Sequence, residues 1–373
     1  MSIKNQDDIK ILMITVRADY GGGPEHLYRL ISKLSPALEI YTACPRDIPY
    51  WDKYADLLGE DCLIEIPHRK FTIHSLFKLL NFISNKKINI VHSHGKGAGI
   101  YGRVIAMLSS SKCVHTFHGL HIQSYNKLKM VLYKNIEKFL SLFTGAVIAV
   151  SQSEYELLLK EGLVSQKKLK LIENSVNIPS LTVPESIFDL AKLKIITISR
   201  FDYAKNTSLL ISIAEEIKNS GRLDRFEIII LGSGPEETQL IKEVDQKKLN
   251  EYILFKGFIS DPYKYLIESF CYLSTSRWEG MPLGVLEAMS VGLPVIATDV
   301  VGNKDSVQHE ITGYLYKQYN HAEAADYLIK LADDKDLWRK FSKASRQIAE
   351  SRFSIKRMAE ETKKVYSEVL SKE

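Results

Sequence analysis

Residues 274–301, STSRWEGMPLGVLEAMSVGLPVIATDVV, contain the end of one strand, a helix and a second strand. The apolar run 271–275 ends at a loop, and a helix is expected to begin near Pro282, because proline lacks the N–H that the first helical turn leaves unpaired. The next apolar run, 294–298, is rich in β-branched residues. Two such strands joined by a helix predict a parallel sheet with helices on both faces.

The same alternation of short apolar runs and helical periodicity extends through the chain on both sides of this segment. The N-terminal part predicts strands at 9–16, 38–44, 63–66, 88–92, 113–116 and 146–150, and helices at 24–34, 72–86, 97–109, 127–143 and 152–162. The C-terminal part predicts strands at 194–199, 226–231, 253–256, 271–275 and 294–298, and helices at 321–333, 335–350 and 354–370.

Pro179 and Pro184 interrupt this alternation at 177–190, where we expect a linker. The pattern therefore predicts an α/β fold of two tandem Rossmann-like domains, each a doubly wound parallel sheet, at 1–177 and 178–350. Residues 351–373 are expected to form a C-terminal helix that packs back towards the first domain. A ligand that contacts both domains would bind in a cleft between them, beyond the carboxyl ends of the strands.

The composition is that of a globular protein. Of 373 residues, 45% are hydrophobic and 25% are charged, which excludes disordered, collagen-like and disulfide-scaffold chains. The four cysteines are far apart and form no Cys-x-x-Cys pair, as expected in a reducing compartment without structural zinc. Residues 1–10 lack the apolar core of a signal peptide, and no apolar run is long enough to span a membrane. We therefore expect a soluble, cytoplasmic protein.

Basic residues are concentrated in the first half of the chain. Residues 62–138 contain 12 lysines and arginines but only two acidic residues, Glu65 and Glu137. This asymmetry predicts a polyanionic partner such as nucleic acid, anionic lipid or a phosphorylated substrate, or else a solvated lysine-rich surface. Nucleic acid is disfavoured, because the basic residues form no stripe interleaved with aromatic residues.

Within this basic tract, residues 126–143 (NKLKMVLYKNIEKFLSLF) have an amphipathic pattern. Apolar side chains recur at helical spacing, namely Leu128, Val131, Leu132, Ile136, Phe139 and Leu140. Four lysines accompany them, namely Lys127, Lys129, Lys134 and Lys138. The pattern suits a helix that lies on an anionic membrane, which would make the protein peripheral at the cytoplasmic face. It also suits a core-facing helix with a lysine-rich outer side.

Several polar residues are candidates for chemistry. Glu279 and Glu287 flank the expected start of a helix, where free N–H groups can bind an anion, although such a pair can also be a capping acid and a solvated one. Five of the ten histidines fall within thirty residues, namely His92, His94, His115, His118 and His121. No carboxylate or cysteine accompanies them, so a metal site is not expected. Gly21-Gly22-Gly23 follows the first strand, but His26 breaks the dinucleotide fingerprint.

The segment around the two glutamates resembles the retaining glycosyltransferases of family four, also called glycosyl transferases group 1, which have the GT-B fold. In that family two glutamates separated by seven residues precede a strand, as Glu279, Glu287 and Gly292-Leu293-Pro294 do here. Other matching motifs are Gly21-Gly22-Gly23, Thr116-Phe117-His118-Gly119, Val150-Ser151 with Glu154, Glu173-Asn174-Ser175-Val176, Ser199-Arg200-Phe201 with Lys205, residues 231–235 (LGSGP) and Lys256-Gly257-Phe258. His94-Gly95-Lys96-Gly97-Ala98-Gly99 is similar to members that build bacterial surface polysaccharides.

The resemblance implies retaining transfer of a sugar from a nucleotide-diphosphate sugar, expected to be a UDP-sugar, to a hydroxyl of a glycan or polyprenyl-phosphate-linked acceptor. It implies no cofactor and no metal, with the acceptor on the first domain and the donor on the second. The implied catalytic residues are His118, Arg200, Lys205 and Glu279. The implied donor-binding residues are Gly22, Gly23, Gly232, Gly234, Gly257, Gly280, Met281, Pro282, Leu283 and Glu287. The implied acceptor-binding residues are Glu25, His26, His94 and Lys96.

Other classes stay open on the sequence. A nucleotide-sugar epimerase or a sugar phosphorylase can share the two-domain architecture, and a non-catalytic binding module would tolerate the loss of Glu279 or Lys205. The chain also departs from the family at 301–305 (VGNKD), where many members have two glycines followed by glutamate, and at Ser175, where glycine is usual. The first departure falls in the sugar and phosphate pocket of the family, so the donor sugar is left open.

Overall fold

The computed structural model describes residues 9–119 and 126–371, and the chain divides into two compact α/β units. Unit 1 comprises Met1–Asn174 and Ile355–Glu373, and unit 2 comprises Ser175–Ser354. The boundary lies at residue 174 rather than 177, because the Val176 N–H donates to the Phe353 carbonyl oxygen at 2.8 Å, at the end of unit 2. The region 177–190, expected to be a linker, belongs to unit 2 and contains a 3-10 helix at Glu185–Asp189.

Each unit contains one parallel sheet. The strands of unit 1 are β1 (Lys10–Thr15), β2 (Glu39–Cys44), β3 (Leu63–Glu65), β4 (Ile90–His94), β5 (Lys112–Thr116), β6 (Ala146–Ala149) and β7 (Leu169–Leu171), in the order β3-β2-β1-β4-β5-β6-β7. Those of unit 2 are β8 (Leu193–Ile198), β9 (Phe226–Leu231), β10 (Ile253–Phe255), β11 (Cys271–Ser274), β12 (Val295–Thr298) and β13 (Gly313–Tyr316), in the order β10-β9-β8-β11-β12-β13. The predicted fold class, two tandem doubly wound parallel sheets, is confirmed.

The helices alternate with the strands along the chain. They are α1 (Gly22–Leu34), α2 (Tyr50–Leu58), α3 (Ile73–Lys86), α4 (Lys96–Leu108), α5 (Lys127–Ser141), α6 (Gln152–Lys160), α7 (Ser208–Asn219), α8 (Glu237–Gln246), α9 (Tyr263–Leu266), α10 (Leu283–Ser290), α11 (Asn303–Ser306), α12 (His321–Asp333), α13 (Lys335–Arg352) and α14 (Ile355–Ser371). None of the helices in the described ranges has the length and apolar content needed to cross a bilayer.

Glycines bring α4 unusually close to the sheet of unit 1. A Cβ atom on Gly99 would lie 2.7 Å from Cε1 of His115, and one on Gly102 would lie 2.8 Å from Cβ of Ser93. Real Cβ atoms do not approach other atoms so closely, so a side chain at either position would push the helix away from strands β4 and β5. The glycine-rich run after His94 therefore sets the distance between α4 and the sheet.

The last helix of the chain, α14, packs into unit 1. Met358, Val365, Tyr366 and Val369 are each less than 5% exposed and belong to the same core as the apolar residues of α1 and β1. The Tyr366 hydroxyl lies 2.7 Å from Nδ1 of His92 on β4. Because α14 supplies part of the core, unit 1 is built from both ends of the chain.

Some elements carry no strong sequence signal and were not predicted. Strands β7 (LKL) and β13 (GYLY) contain no β-branched residue, unlike strands of the same length that were predicted, such as β10 and β12, and α2 also lay outside the predicted elements. The start of α10 differs by one position from the prediction. Pro282 has an extended backbone (φ −75°, ψ 114°) and caps the helix, so that Leu283 rather than Pro282 is its first residue.

The packing of α14 predicts that substitutions on its buried face destabilise the protein and that substitutions on its exposed face do not. Replacing the buried Met358 with alanine should destabilise unit 1 by about 2–5 kcal/mol, because the lost methylene groups leave a cavity. The exposed neighbour Lys356 provides the control, and Lys356→Ala should change stability by less than about 0.5 kcal/mol. Urea denaturation of both variants measures the difference, and equal stability would show that α14 is not part of the core.

Candidate active site

The strand order of unit 2 places two loops side by side at the centre of the sheet. Strands β8 and β11 are neighbours, but β8 leads towards β9 and β10 whereas β11 leads towards β12 and β13. At such a switch point the loops after the two strands separate and leave a crevice for a ligand. The residues after β8 include Arg200 and Lys205, and those after β11 include Glu279.

Lys205 and Glu279 form an ion pair across this switch point. The Lys205 Nζ lies 2.6 Å from Oε1 of Glu279, and the Ser276 hydroxyl donates to the same oxygen at 2.6 Å. No residue in the part of the chain that the structure describes makes a hydrogen bond to the other oxygen, Oε2. The sequence did not indicate Ser276, because a serine in a loop has no distinctive pattern.

Hydrogen bonds to backbone carbonyl oxygens fix the two loops to each other. The Thr275 hydroxyl donates to the Lys205 carbonyl oxygen at 3.0 Å, and the Arg277 N–H donates to the Ala204 carbonyl oxygen at 2.8 Å. The Lys205 and Glu279 side chains, which are 27% and 11% exposed, are therefore held in one geometry while still accessible to a ligand.

Gly302 packs closely against the backbone and Cβ atom of Glu279. The Glu279 N–H donates to the Val301 carbonyl oxygen at 3.1 Å. Gly302 has φ +88°, and a Cβ atom there would lie 2.6 Å from Cβ of Glu279. This glycine lies in the segment 301–305 that departs from the family pattern, and its close contact with Glu279 leaves no room for a side chain.

The glycines after β9 are also explained by close packing. A Cβ atom on Gly232, which has φ +141°, would lie 1.9 Å from the carbonyl oxygen of Ser199, and one on Gly234 would lie 2.5 Å from that of Phe201. The Gly232 N–H donates to the Gly257 carbonyl oxygen at 2.7 Å. Gly232, Gly234 and Gly257 therefore bring the loops after β8, β9 and β10 into contact at one end of the sheet.

Of the remaining donor-binding candidates, Pro282 lines a small polar cleft at this end of the sheet. Among the residues that line it are Ser199, Lys205, Ser276, Glu279, Pro282 and Gly284. Met281 and Glu287 are buried, and Gly280 and Leu283 are half-buried. Arg200, which follows β8, is 52% exposed and pairs with Asp202. The first N–H groups of α10 lack partners within the helix, because its first hydrogen bond runs from Leu286 to Pro282.

Unit 1 has its own switch point, between β1 and β4, and three histidines meet there. His26 lies on α1 after β1, His94 ends β4, and His118 follows β5. The His94 Nδ1 lies 3.0 Å from Nε2 of His118, and the His26 and His118 rings are 4.5 Å apart. The His26 Nδ1 lies 2.8 Å from Oδ1 of Asn174, which fixes the orientation of its ring.

The loop that carries His118 is held by a buried carboxylate. His118 has φ +59°, which is uncommon for a residue other than glycine. Beside it, the Gly119 N–H donates to Oε1 of Glu154 at 2.5 Å, and the Val150 N–H donates to Oε2 at 2.8 Å. The sequence identified Glu154 only as part of a family motif, and the structure shows that it positions the His118 loop.

Two other histidines of the cluster have structural roles. His92 lies between the Tyr366 hydroxyl and the Thr116 hydroxyl, which is 2.8 Å from its Nε2. The His115 Nδ1 lies 2.9 Å from the Ser93 hydroxyl, and the His115 ring packs beneath α4. His121 lies outside the described residues. The partnership of His92 with Tyr366 could not be predicted, because 274 positions separate the two residues.

Burial keeps five histidines of unit 1, namely His26, His92, His94, His115 and His118, neutral near pH 7. It lowers the pKa of His26 to about 4 and that of His92 to about 3. Burial also lowers the pKa values of His94, His115 and His118 well below the ordinary range. Neutral imidazoles can accept or donate hydrogen bonds to hydroxyl groups, and they can also ligate metals.

Within residues 9–119 and 126–371, two groups of side chains have a spacing compatible with a metal ion. One nitrogen from each of His26, His94 and His118 lies within 4.8 Å of the others, and Asp19, Asp47 and His68 form a second group with the same spacing. No sequence pattern indicates the second group, whose residues lie in separate loops.

The other unit 1 candidates have contacts of their own. Glu25 pairs with Arg29 at 2.6 Å and accepts a hydrogen bond from the Tyr50 hydroxyl at 2.5 Å, so its carboxylate is engaged with α1 and α2. Lys96, the first residue of α4, has its Nζ 4.5 Å above the Tyr133 ring. Gly22 and Gly23 form the first turn of α1, and a Cβ atom on Gly23 would meet nothing within 4 Å.

Comparisons with known proteins agree with this arrangement of motifs. Residues 20–179 match the family model described as Glycosyltransferase Family 4, and residues 183–348 match the model described as Glycosyl transferases group 1. The chain is 29% identical over 309 residues to the UDP-Gal:alpha-D-GlcNAc-diphosphoundecaprenol alpha-1,3-galactosyltransferase of Escherichia coli, with 79% of each chain covered. It is 24% identical to the O-antigen biosynthesis glycosyltransferase WbnH of Escherichia coli, with 78% of this chain and 81% of that one covered.

Solved structures show the same fold. The structure of HepE from Anabaena in complex with UDP and glucose matches with a TM-score of 0.82 at 17% identity, over 96% of this chain and 99% of that one. Two Rossmann-like units with polar residues at both switch points thus define a protein of the GT-B fold. The chain belongs to the glycosyltransferases of family 4, as the two family models that together span residues 20–179 and 183–348 show. The family resemblance predicted from the sequence is confirmed.

Because the buried histidines of unit 1 are neutral in the folded state, we expect unit 1 to lose stability in mild acid. An unfolded chain binds protons at its histidines near pH 6.5, whereas folded His26 binds one only at about 4, so stability rises with pH between these values. His26 alone accounts for about 3 kcal/mol between pH 7 and pH 4. Urea denaturation across this range should show the loss.

Two variants identify the source of that pH dependence. His26→Gln should lower the slope of the free energy of unfolding against pH by the equivalent of about one bound proton, because it removes a histidine whose pKa is lowered by burial. Met358→Ala, which lowers stability without removing a titrating group, should leave the slope unchanged. A wild-type stability that stays constant from pH 7 to pH 4.5 would contradict the assignment of buried, neutral imidazoles.

Proposed function

We propose that this glycosyltransferase moves a sugar from a UDP-sugar to a hydroxyl of a glycan or polyprenyl-phosphate-linked acceptor, with retention of the anomeric configuration and without a metal. The observation that carries the proposal is the Lys205–Glu279 pair at the switch point of unit 2, 2.6 Å apart and beside the N-terminus of α10. It combines a cation for a departing diphosphate with a carboxylate for sugar hydroxyls.

The diphosphate of the donor would be bound by positive groups of unit 2. Lys205 supplies a mobile ammonium group, Arg200 a guanidinium group, and the first turn of α10 its free N–H groups. As the bond from the sugar C1 to the phosphate oxygen breaks, its electron pair leaves with UDP, and these groups stabilise the new charge. They supply the positive charge that a divalent metal supplies in other enzymes, which supports metal independence.

The two glutamates would hold hydroxyl groups of the donor. Oε1 of Glu279 is occupied by Lys205 and Ser276, so Oε2 has lone pairs for hydroxyls of the sugar. Glu287, buried on α10, would accept hydrogen bonds from the ribose. We assign no covalent nucleophile, and attack from the face of the leaving group, with the acceptor proton passing to the departing phosphate, is consistent with retention.

The histidines of unit 1 would recognise hydroxyl groups. The Nε2 of His94 is buried and has no hydrogen-bond partner among the residues described, which is costly unless a ligand supplies one. We assign His118 to a donor sugar hydroxyl and His26 and His94 to acceptor hydroxyls, with Glu25 and Lys96 at the edge of the acceptor site. Unit 1 is then the acceptor-binding unit and unit 2 the donor-binding unit.

The relatives support the substrate classes. The name of the Escherichia coli enzyme that is 29% identical specifies UDP-galactose and an acceptor linked to diphosphoundecaprenol. A comparable donor and lipid-linked acceptor here would place the enzyme at the cytoplasmic face of a membrane, in surface polysaccharide synthesis such as that of lipopolysaccharide or capsule. The epimerase, phosphorylase and binding-module alternatives have no support among these relatives, which are glycosyltransferases.

Lys205→Gln tests the role of the ion pair. It should lower kcat about 100- to 1000-fold, because the leaving diphosphate loses a preorganised cation. The matched control is Lys247→Gln, which breaks another lysine–glutamate pair of unit 2, 2.5 Å long, between α8 and α7. Lys247→Gln should leave kcat within about twofold. Equal activity of Lys205→Gln and the wild type would contradict the proposal.

A second experiment tests the donor, the stereochemistry and the metal together. Nucleotide sugars are screened by thermal shift, where UDP-sugars should stabilise the protein most. Proton NMR of the product made from the best donor should show the anomeric configuration of that donor. Turnover should continue in excess EDTA. An inverted product would refute retention, and loss of turnover that returns with a divalent cation would refute metal independence.

A further inference from the structure

Helix α5 has its apolar side turned to solvent. We define its outer face as Leu128, Val131, Leu132, Ile136, Phe139 and Leu142, which are 45–81% exposed. Within the helix only Glu137 and Leu140 are buried. The interpretation of 126–143 as a core-facing helix with a lysine-rich outer side is therefore wrong, because most of its apolar residues do not face the core.

Met130, Tyr133 and the buried Leu140 pack α5 against the rest of unit 1, and several polar contacts join them. Arg103 on α4 and Glu137 form an ion pair of 2.7 Å in which both side chains are less than 10% exposed. Lys134 pairs with Glu161, and the Lys96 Nζ lies over the Tyr133 ring. A buried ion pair on the inner side fixes the rotation of α5, since turning the helix would leave two charges buried without partners.

Lysines border the outer face on both sides. With 100° per residue, the six apolar side chains span about 140° of the helix surface. Lys127 and Lys138 then lie along one edge and Lys129 along the other, and all three are exposed. Long lysine side chains at the edges of an apolar stripe can reach phosphate groups while the stripe contacts hydrocarbon.

The neighbouring helices continue the same character. Helix α4 contacts both α3 and α5. Helices α3 and α4 also expose apolar side chains, namely Ile73 and Phe77 on α3 and Ile100, Met107 and Leu108 on α4. Glu137 is the only acidic residue within α3, α4 and α5, and it is buried against Arg103. The outward side of the three helices is therefore apolar and basic without an acidic group.

We propose that the outer face of α5 lies in the interfacial region of an anionic lipid bilayer, with α3 and α4 beside it. Exposed apolar area and a border of lysines are together what an amphipathic helix needs to bind in the plane of such a membrane. A nucleic acid would leave the apolar stripe in water. None of the six outer-face residues and none of the three bordering lysines is assigned to donor or acceptor binding, so vesicle binding can be measured independently of sugar transfer.

Vesicle sedimentation of the full-length protein tests this surface. The probe is a phosphatidylcholine vesicle with or without about one third phosphatidylglycerol, at low and high salt. The wild type should bind the anionic vesicles at least about tenfold more tightly than the neutral ones, and high salt should weaken this binding. Equal binding to both vesicles, or no binding to either, would overturn the proposal.

Two sets of substitutions separate the two contributions. Leu128→Ser, Leu132→Ser and Phe139→Ser together should reduce binding to anionic vesicles about tenfold or more. Lys127→Gln, Lys129→Gln and Lys138→Gln together should reduce it towards the level of neutral vesicles. Ile241→Ser, at an exposed apolar residue on α8 of unit 2, is the control and should bind as the wild type does.

Two further measurements distinguish the alternatives. Both triple variants should keep the thermal stability and the UDP affinity of the wild type, because the exchanged side chains are exposed and lie in unit 1. A failure of the proposed sugar transfer would leave vesicle binding unchanged, so the two proposals can fail separately. If the serine triple variant turns a wild-type dimer into a monomer and vesicle binding is unaffected, the surface joins two copies of the chain and the proposal is wrong.

Discussion

In each unit, the helices that follow the two central strands lie on opposite faces of the sheet. This follows from the strand orders, in which β1 and β4 are neighbours in unit 1 and β8 and β11 in unit 2, combined with the right-handed crossover of parallel strands. The loops after these strands must then separate, and the space between them cannot be filled by the helices. The candidate groups His26 and His94 in unit 1, and Lys205 and Glu279 in unit 2, lie on the segments that border these two spaces.

The switch point of unit 2 carries charged side chains, whereas that of unit 1 carries neutral histidines. In unit 2 a lysine and a glutamate face each other at 2.6 Å while still partly exposed, so a charged ligand can compete for either partner. In unit 1 burial lowers the pKa values of the histidines, so that the site presents neutral hydrogen-bonding groups. A diphosphate requires the first kind of site, and sugar hydroxyls suit the second.

The sequence predicted the repeated units because long buried strands such as β1, β8 and β9 have continuous apolar, β-branched runs. It did not predict β7 (LKL) or β13 (GYLY), since neither contains a β-branched residue. The family motifs identified Lys205, Glu279 and His118, but they gave no geometry. Ser276 as the partner of Glu279, and Tyr366 as the partner of His92, depend on tertiary contacts that no local pattern records.

The orientation of α5 illustrates the same limit. The spacing of its apolar residues indicated an amphipathic helix, but spacing alone cannot say which side faces the core. The buried Arg103–Glu137 pair decides the orientation, and it joins two helices that are separate in the sequence. The glycines at 99, 102, 232 and 302 are a further case, because the atoms that exclude a side chain belong to strands or loops elsewhere in the sequence.

The central claim is that Lys205 serves the diphosphate while Glu279 serves the sugar. Calorimetric titration of UDP and of an intact UDP-hexose into Glu279→Gln tests it most directly. The account predicts that the UDP-hexose binds about tenfold or more weakly than to the wild type, because hydrogen bonds to a carboxylate are lost. UDP itself should bind as well as before or more tightly, because Lys205 is released from its ion pair. Equal weakening of both ligands, or of neither, would contradict the account.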